Sequence, residues 1–303
     1  MIEKLELFLA LAKERHFGRA AESAGVSQPS LSAAIKSLED ALGVVLVKRG
    51  SRFQGFTPEG ERVLEWARRL VGDARAMRDE IDAMTRGITG HLRLGVVPTA
   101  LPFVTELTVP FLARHGSCSV SAHSLTSATI LSKMENLELD LGISYIDNEP
   151  VGKFQTLPLY TERYALLVSP NHKLARRASI PWREATTLPL CLLTPDMQNR
   201  RIIDRHLTDA GGAPTPTFES NSLLLLASHV RSGKWVSIIP FRLAEALSLA
   251  GHLPTIPLVE PNVTHDIGLI VPDREPFSPV TAAFVATARR AVAQIPGSAA
   301  RQD

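Results

Sequence analysis

A chain of 303 residues, 45% hydrophobic and 21% charged, suits about two globular domains plus a small appendage and leaves room for a sizeable buried core. Its formal net charge of +2 excludes a uniformly basic coat, so any contact with phosphate has to come from a local patch. Residues 1–58 hold eight Lys/Arg against six Asp/Glu, and Lys48, Arg49 and Arg52 fall within five positions of one another.

The opening "MIEKLELFLALAKERHFG" mixes acids and Lys4 into its apolar positions and lacks a continuous apolar h-region, so no secretory leader is expected. No run of about 18 apolar residues occurs, which removes a transmembrane helix and gives a cytoplasmic protein as the expectation. Only Cys118 and Cys191 are present, 73 positions apart, with neither a disulfide framework nor metal-ligand spacing. Two buried thiols of ordinary reactivity, no metal and no cofactor are therefore expected.

Leu5, Phe8, Leu9 and Ala12 recur at helical spacing, and Phe17 to Ala24 gives a second short helix that stops at Gly25. Ser27 then stands where an N-cap belongs, with Pro29 in the first turn, where a missing N–H costs nothing. Leu31, Ile35, Leu38 and Leu42 follow at spacings of four, three and four, the apolar stripe of a third helix. "VVLVKRGSRFQGFTPEG" turns extended, bends at a basic turn around Gly50 and reads as a two-stranded wing. Thr57 and Pro58 open a new helix over 59–86, about 42 Å long at 1.5 Å per residue. In it Val63, Ala67, Leu70, Ala74, Met77, Ile81 and Met84 form a heptad seam flanked by charges, which favours pairing with a second copy over packing on its own domain.

From His91 short apolar strands alternate with helices: "HLRLGVV", a helix over about 101–114, "CSVSAHSL", a helix over about 127–136, and "LDLGISYI". "ERYALLVSP", "PLCLLTP", a helix over about 200–210, "TPTFESN", a helix over about 223–232, "WVSIIP", "HDIGLIVP" and a helix over about 279–293 continue the style. Such alternation predicts parallel βαβ units, and their number fits two α/β lobes better than one.

This order of elements, with "FLALAKERHFGRAAESAGVSQPSLSAAIKSLEDALGVVLVKRG", "FTPEG", "GHLRLGV", "LELDLGI" and "GKWVSIIP", resembles the LysR-type bacterial transcriptional regulators. The fold class expected is α/β multidomain: an N-terminal winged helix-turn-helix (1–58), a long linker helix (59–87) and a two-lobed α/β effector domain resembling periplasmic binding proteins (88–303). Lobe I is expected over about 91–161 and 267–303 and lobe II over about 162–266. The resemblance implies double-stranded operator DNA as partner, with the third helix in the major groove, where each base pair shows a distinct donor and acceptor pattern. Ser27, Gln28, Pro29, Ser30, Ser32 and Ala33 would face the bases, and Lys36, Arg49 and Arg52 the phosphates. Family members often carry a polar or basic side chain after the serine at position 32; here Ala33 and Ala34 follow, so more weight falls on Gln28, methyl contacts and DNA shape. A dimer through the linker helix, a tetramer through the effector domains and RNA polymerase as a further partner are also implied.

The resemblance places the effector where strands end and helices begin: Thr99, Ala100 and Leu101; Thr126 and Ser127; Ser144 and Tyr145; Gln198, Asn199 and Arg200; and Asn221 and His265 near the lobe crossings. Hydroxyls, an amide and a guanidinium at helix N-termini suit a small anion such as a carboxylate. Thr99 and Ser127 can equally be no more than N-caps, and Arg200 a solvated charge. A solute-binding protein on the same lobes would want a leader and no helix-turn-helix. An enzyme would want a nucleophile with its base or a phosphate loop; none is visible, so no catalysis is expected.

Overall fold

The computed structural model describes residues 1–48, 50, 53–213, 215–251, 253–273 and 275–294, with backbone alone at 248–251. Arg49 and Arg52 lie outside the described residues. The chain divides into two compact units, one formed by Met1–Gly90 with 133–138 and 274–282, the other by the remainder.

In the first unit, α1 (Ile2–Glu14), α2 (Phe17–Ser23) and α3 (Gln28–Leu42) are followed by α4 (Pro58–Arg86). Leu5, Phe8, Leu11, Ala20, Leu31, Ile35, Leu38, Leu46, Leu64 and Val71 form one core, with Phe56 edge-on to Phe8 at 5.3 Å. Leu42 is 43% exposed, so the stripe of α3 ends at Leu38. Ser27 caps α3 by accepting the Ser30 N–H at 3.2 Å, and Thr57 caps α4 by accepting the Gly60 N–H at 3.0 Å. Among the described residues the wing is one antiparallel bridge, Val47 with Phe56, rather than two full strands. Its base is pinned to α3, because the Glu39 carboxylate accepts the N–H groups of Leu46 and Val47 at 2.7 and 3.2 Å. Gly60 is required here: a Cβ would sit 2.1 Å from the Leu46 carbonyl oxygen.

The α4 helix has two faces rather than one seam. Leu64, Ala67 and Val71 are buried in the unit's own core, whereas Leu70, Met77, Ile81 and Met84 are exposed. The first turns cover α1–α3, and the apolar residues left uncovered continue along an adjacent flank of the helix, about 100° round at 3.6 residues per turn.

After α4 the chain forms β1 (Gly90–Val96), a 3-10 turn (Pro98–Ala100), α5 (Leu101–Arg114), β2 (Cys118–Ser124), α6 (Ser127–Glu135), β3 (Leu141–Tyr145) and β4 (Gln155–Leu167). It continues through β5 (Ile180–Pro181), α7 (Trp182–Ala185), β6 (Cys191–Leu193), α8 (Gln198–Asp209), β7 (Phe218–Ser220) and α9 (Leu223–Arg231). Last come β8 (Ser237–Pro240), α10 (Phe241–Gly251), β9 (Thr255–Val259), β10 (Thr264–Val271) and α11 (Pro279–Gln294). The sheet is mixed, not purely parallel. β1 pairs parallel with β3, but β10 runs antiparallel to both β3 and β4, and β4 runs antiparallel to β8 and β9. β4 and β10 are the two long strands on which the strand groups β2-β1-β3 and β8/β9-β5 meet. Elements that begin or end at this junction therefore bring their side chains together, which is the placement a ligand site in an α/β fold requires.

Candidate DNA-binding face and effector site

Ser27, Gln28, Pro29, Ser30, Ser32, Ala33 and Lys36 are all exposed, while Leu31, Ile35 and Leu38 between them are buried. The 3.6-residue period thus separates a core stripe from a polar stripe on one helix. Ser27 Oγ and Ser30 Oγ lie 2.8 Å apart, so the cap also orders the second hydroxyl. An open groove of about 720 Å³ lies beside this face, lined by Ser32, Lys36, Asp40, Val45 and Lys48 among others.

In the second unit Thr99, 2% exposed, does not cap a helix: its hydroxyl lies 3.3 Å from the Tyr145 hydroxyl. Tyr145 donates to Glu162 Oε2 at 2.6 Å, Tyr160 donates to Glu162 Oε1 at 3.0 Å, and Asn199 Nδ2 donates to the Tyr145 oxygen at 2.9 Å. Alongside, Ser144 donates to Gln198 Oε1 at 3.0 Å and Gln198 Nε2 donates to Asn148 Oδ1 at 2.7 Å. This buried network joins the end of β3, the middle of β4 and the first turn of α8. Burial pushes the Glu162 carboxyl up to about 7, against the pull of the two tyrosine hydrogen bonds and the Arg242 charge. Burial likewise pushes the Tyr145 hydroxyl up, with the neighbouring Glu162 charge acting in the same direction.

Several expected ligand residues are placed otherwise. Arg200 is turned away from the role of anion ligand: its guanidinium contacts Asp204 Oδ1 at 2.7 Å, Glu219 Oε1 at 2.5 Å and the Leu193 carbonyl at 2.6 Å. Two carboxylates already neutralise it, and its side chain is 5% exposed. Thr126, not Ser127, caps α6 by accepting the Thr129 N–H at 3.1 Å. Ser127 is buried and accepts from Arg201 at 3.4 Å, while Arg201 pairs with Glu149 at 2.7 Å. Ala100 is buried, Leu101 half-buried, and Asn221 sits exposed in the turn before α9. His265 meets Asp147 Oδ2 at 3.0 Å and the His206 Nε2 at 3.1 Å, within an aromatic cluster with Tyr164 and Trp182. The structure therefore brings Thr99, Ser144 and Asn199 together, with His265 ring-to-ring against Tyr145 at 6.3 Å.

Glu162, Tyr160 and Asn148 are the members of this network that the candidate set did not include. A signal was present: Tyr160, Glu162 and Tyr164 stand at period two, on one face of a strand, and an acid between two tyrosines on a buried face needs partners.

Two family profiles match the chain. The bacterial regulatory helix-turn-helix protein, lysR family, covers residues 2–61, and the LysR substrate binding domain covers residues 85–293. The chain belongs to the LysR family. It is 27% identical over 297 residues to the DNA-binding transcriptional dual regulator OxyR of Escherichia coli K12, covering 98% of this chain and 96% of that one. It is 32% identical over 243 residues to a probable hydrogen peroxide-inducible genes activator of Streptomyces viridosporus, covering 79% of this chain and 77% of the relative. Among solved structures, a full-length OxyR variant from Pseudomonas aeruginosa matches with a TM-score of 0.73 at 26% identity, covering 98% of this chain and 95% of that one. CbnR complexed with its target DNA matches in fold with a TM-score of 0.60 at 22% identity, covering 96% of this chain and 99% of that one. The LysR chain described here is accordingly a DNA-binding transcriptional regulator with an effector-binding domain, not an enzyme, and oligomerisation is typical of such regulators. Among the described residues no helix is long and apolar enough to cross a membrane.

Proposed function

We propose that this protein reads a two-fold-related operator through the N-terminal end of α3 and that a small molecule, bound without covalent chemistry at the β3–β4–α8 junction, adjusts that reading. The observation that carries the effector half is the buried hydrogen-bond network linking Thr99, Tyr145, Glu162 and Asn199. Polar groups in that number are costly to bury unless they position something or are themselves positioned. Ala100, Leu101, Thr126, Ser127, Ser144, Asn221 and His265 complete the proposed surroundings. The anion expected for the site loses its main support with Arg200 held by Asp204 and Glu219.

Several relatives are named for hydrogen peroxide, but nothing favours a thiol sensor in this chain. Cys118 and Cys191 are its two cysteines, both buried; burial pushes the Cys118 thiol up and the Cys191 thiol up to about 11. A thiol so far from its ionised form is a poor nucleophile. For DNA, the supporting features are the exposed row from Ser27 to Lys36 and the helix N-terminus, with Arg49 and Arg52 proposed on the wing. The boundaries proposed are 1–58 for DNA binding, 59–87 for the linker and 88–303 for the effector domain. Assembly as a dimer through the uncovered face of α4, a tetramer through the effector domains, contact with RNA polymerase and residence in the cytoplasm belong to the same reading.

The test is selection by the full-length protein from a random duplex pool. Enrichment of a two-fold-related sequence is expected, and recovery of unenriched DNA would remove the proposal.

A further inference from the structure

We propose that the effector presents an N–H donor to the side-chain oxygen of Asn199, so that the junction selects amine-, amidine- or purine-type molecules over carboxylates. This rests on the effector reading above and names the ligand class for that site.

The direction of the hydrogen bonds decides which ligand atoms fit. Tyr145 gives its proton to Glu162 Oε2 at 2.6 Å, while Glu162 Oε1 is occupied by the Tyr160 hydroxyl at 3.0 Å. Above its value of about 7 the Glu162 carboxylate only accepts, so at pH 8 the Tyr145 oxygen has lone pairs and nothing else left to offer its other neighbours. Asn199 must then turn its Nδ2 toward Tyr145, as it does at 2.9 Å, because the flipped amide would set two acceptors against each other. Its Oδ1 is thereby fixed as an acceptor aimed away from the relay. That oxygen is buried, on a residue 3% exposed, and has no partner among the described residues. A buried acceptor lacking a donor is the exception in folded proteins, and an incoming N–H satisfies it.

Charge points the same way. Arg200 and Arg201 on α8 and Arg242 on α10 are each already paired with a carboxylate, namely Asp204 and Glu219, Glu149, and Glu106. The carboxyl buried in the network, Glu162, is 2% exposed, and the tyrosine hydroxyls around it are held neutral by burial. A carboxylate ligand would therefore add a second negative charge and an acceptor facing an acceptor. A neutral or cationic nitrogen donor would complete the set. Gln198 accepts from Ser144 and gives one of its two amide N–H groups to Asn148, which fixes the orientation of its side chain.

The experiment follows thermal unfolding of the full-length protein at pH 8 and constant ionic strength with benzylamine, agmatine and adenine against benzoate, succinate and acetate. A saturable rise in midpoint with at least one donor probe and none of the carboxylates is expected. In Asn199→Leu, or Asn199→Ala if the leucine variant lacks the wild-type circular dichroism, the apparent Kd for that probe should rise at least tenfold. Stabilisation by the carboxylates alone would overturn the donor assignment while leaving the effector reading standing. A shift that survives at Asn199 variants would overturn the site. No shift by either class would overturn the effector reading at this junction.

Discussion

Replacing Glu162 by glutamine isolates the energetic consequence of burying that carboxyl. Its value rises from an ordinary 4.5 to about 7, chiefly through burial. At 1.36 kcal/mol per unit the gap is worth about 3 kcal/mol. Because the folded value lies above the unfolded one, the native state binds this proton more tightly. The contribution is fully present below pH 4.5, is lost as pH rises toward 7, and is absent above it. Glu162→Gln cannot ionise and removes the whole term, leaving a pH-independent offset from the altered tyrosine hydrogen bonds. With 2–4 °C per kcal/mol for a domain of this size, the wild-type midpoint should fall by roughly 6–12 °C relative to the variant between pH 4.5 and pH 8. Paired calorimetric scans at half-unit pH intervals measure the difference directly and cancel groups common to both proteins. Parallel curves across that range would refute the claim that Glu162 is a desolvated carboxyl.

Met77→Glu, singly or with Leu70→Glu, should lower the solution mass measured by light scattering, because both side chains, 56% and 44% exposed, lie on the uncovered face of α4. An unchanged mass would count against that face as the dimer contact. Gly60→Ala forces a Cβ to 2.1 Å from the Leu46 carbonyl, so denaturant unfolding should report a loss of about 1–3 kcal/mol or more in the DNA-binding unit. A neutral effect would show that the wing base yields freely. Treatment with micromolar hydrogen peroxide should leave operator affinity unchanged, as it should for Cys118→Ser and Cys191→Ser; a peroxide response abolished by either serine would contradict the non-thiol reading.

Local chemistry made much of the fold legible. Ser27 and Thr57 announce their caps because a hydroxyl before Gln-Pro or Pro-Glu has an orphan N–H three residues on to satisfy. The helix over 101–114 is visible from its period for the same kind of reason. What sequence pattern missed was long-range. Pro158 interrupts the alternation of β4, so its first half from Gln155, which carries Tyr160 to the junction, goes unrecognised, while the segment that begins at Glu162 is read as a strand. α10, eleven residues broken by Arg242 and Glu245, and β9, five residues with Pro257 at the centre, are too short for period to identify. Parallel pairs join β1 to β3, β5 to β9 and β6 to β7, while the antiparallel return of the two long strands is a matter of topology and not of residue type. Arg200 stands at a helix start, which suggests a ligand contact, but the carboxylates that claim it sit four and nineteen positions away. The seam on α4 splits because part of a heptad pattern serves the unit's own core. Thr99, Ser144 and Asn199 lie at strand and helix ends, where the fold class alone says to look; the buried acid they surround does not.

The central claim is that the exposed end of α3 reads base identity. It is tested most directly by measuring the affinity of wild type, Gln28→Ala and Lys36→Ala for every single-base variant of the selected operator. Gln28→Ala should flatten preference at particular positions by about 1–3 kcal/mol and leave the others unchanged. Lys36→Ala should weaken all sequences alike and reduce the salt slope by about one. A Gln28→Ala protein with the wild-type preference at every position would contradict the claim.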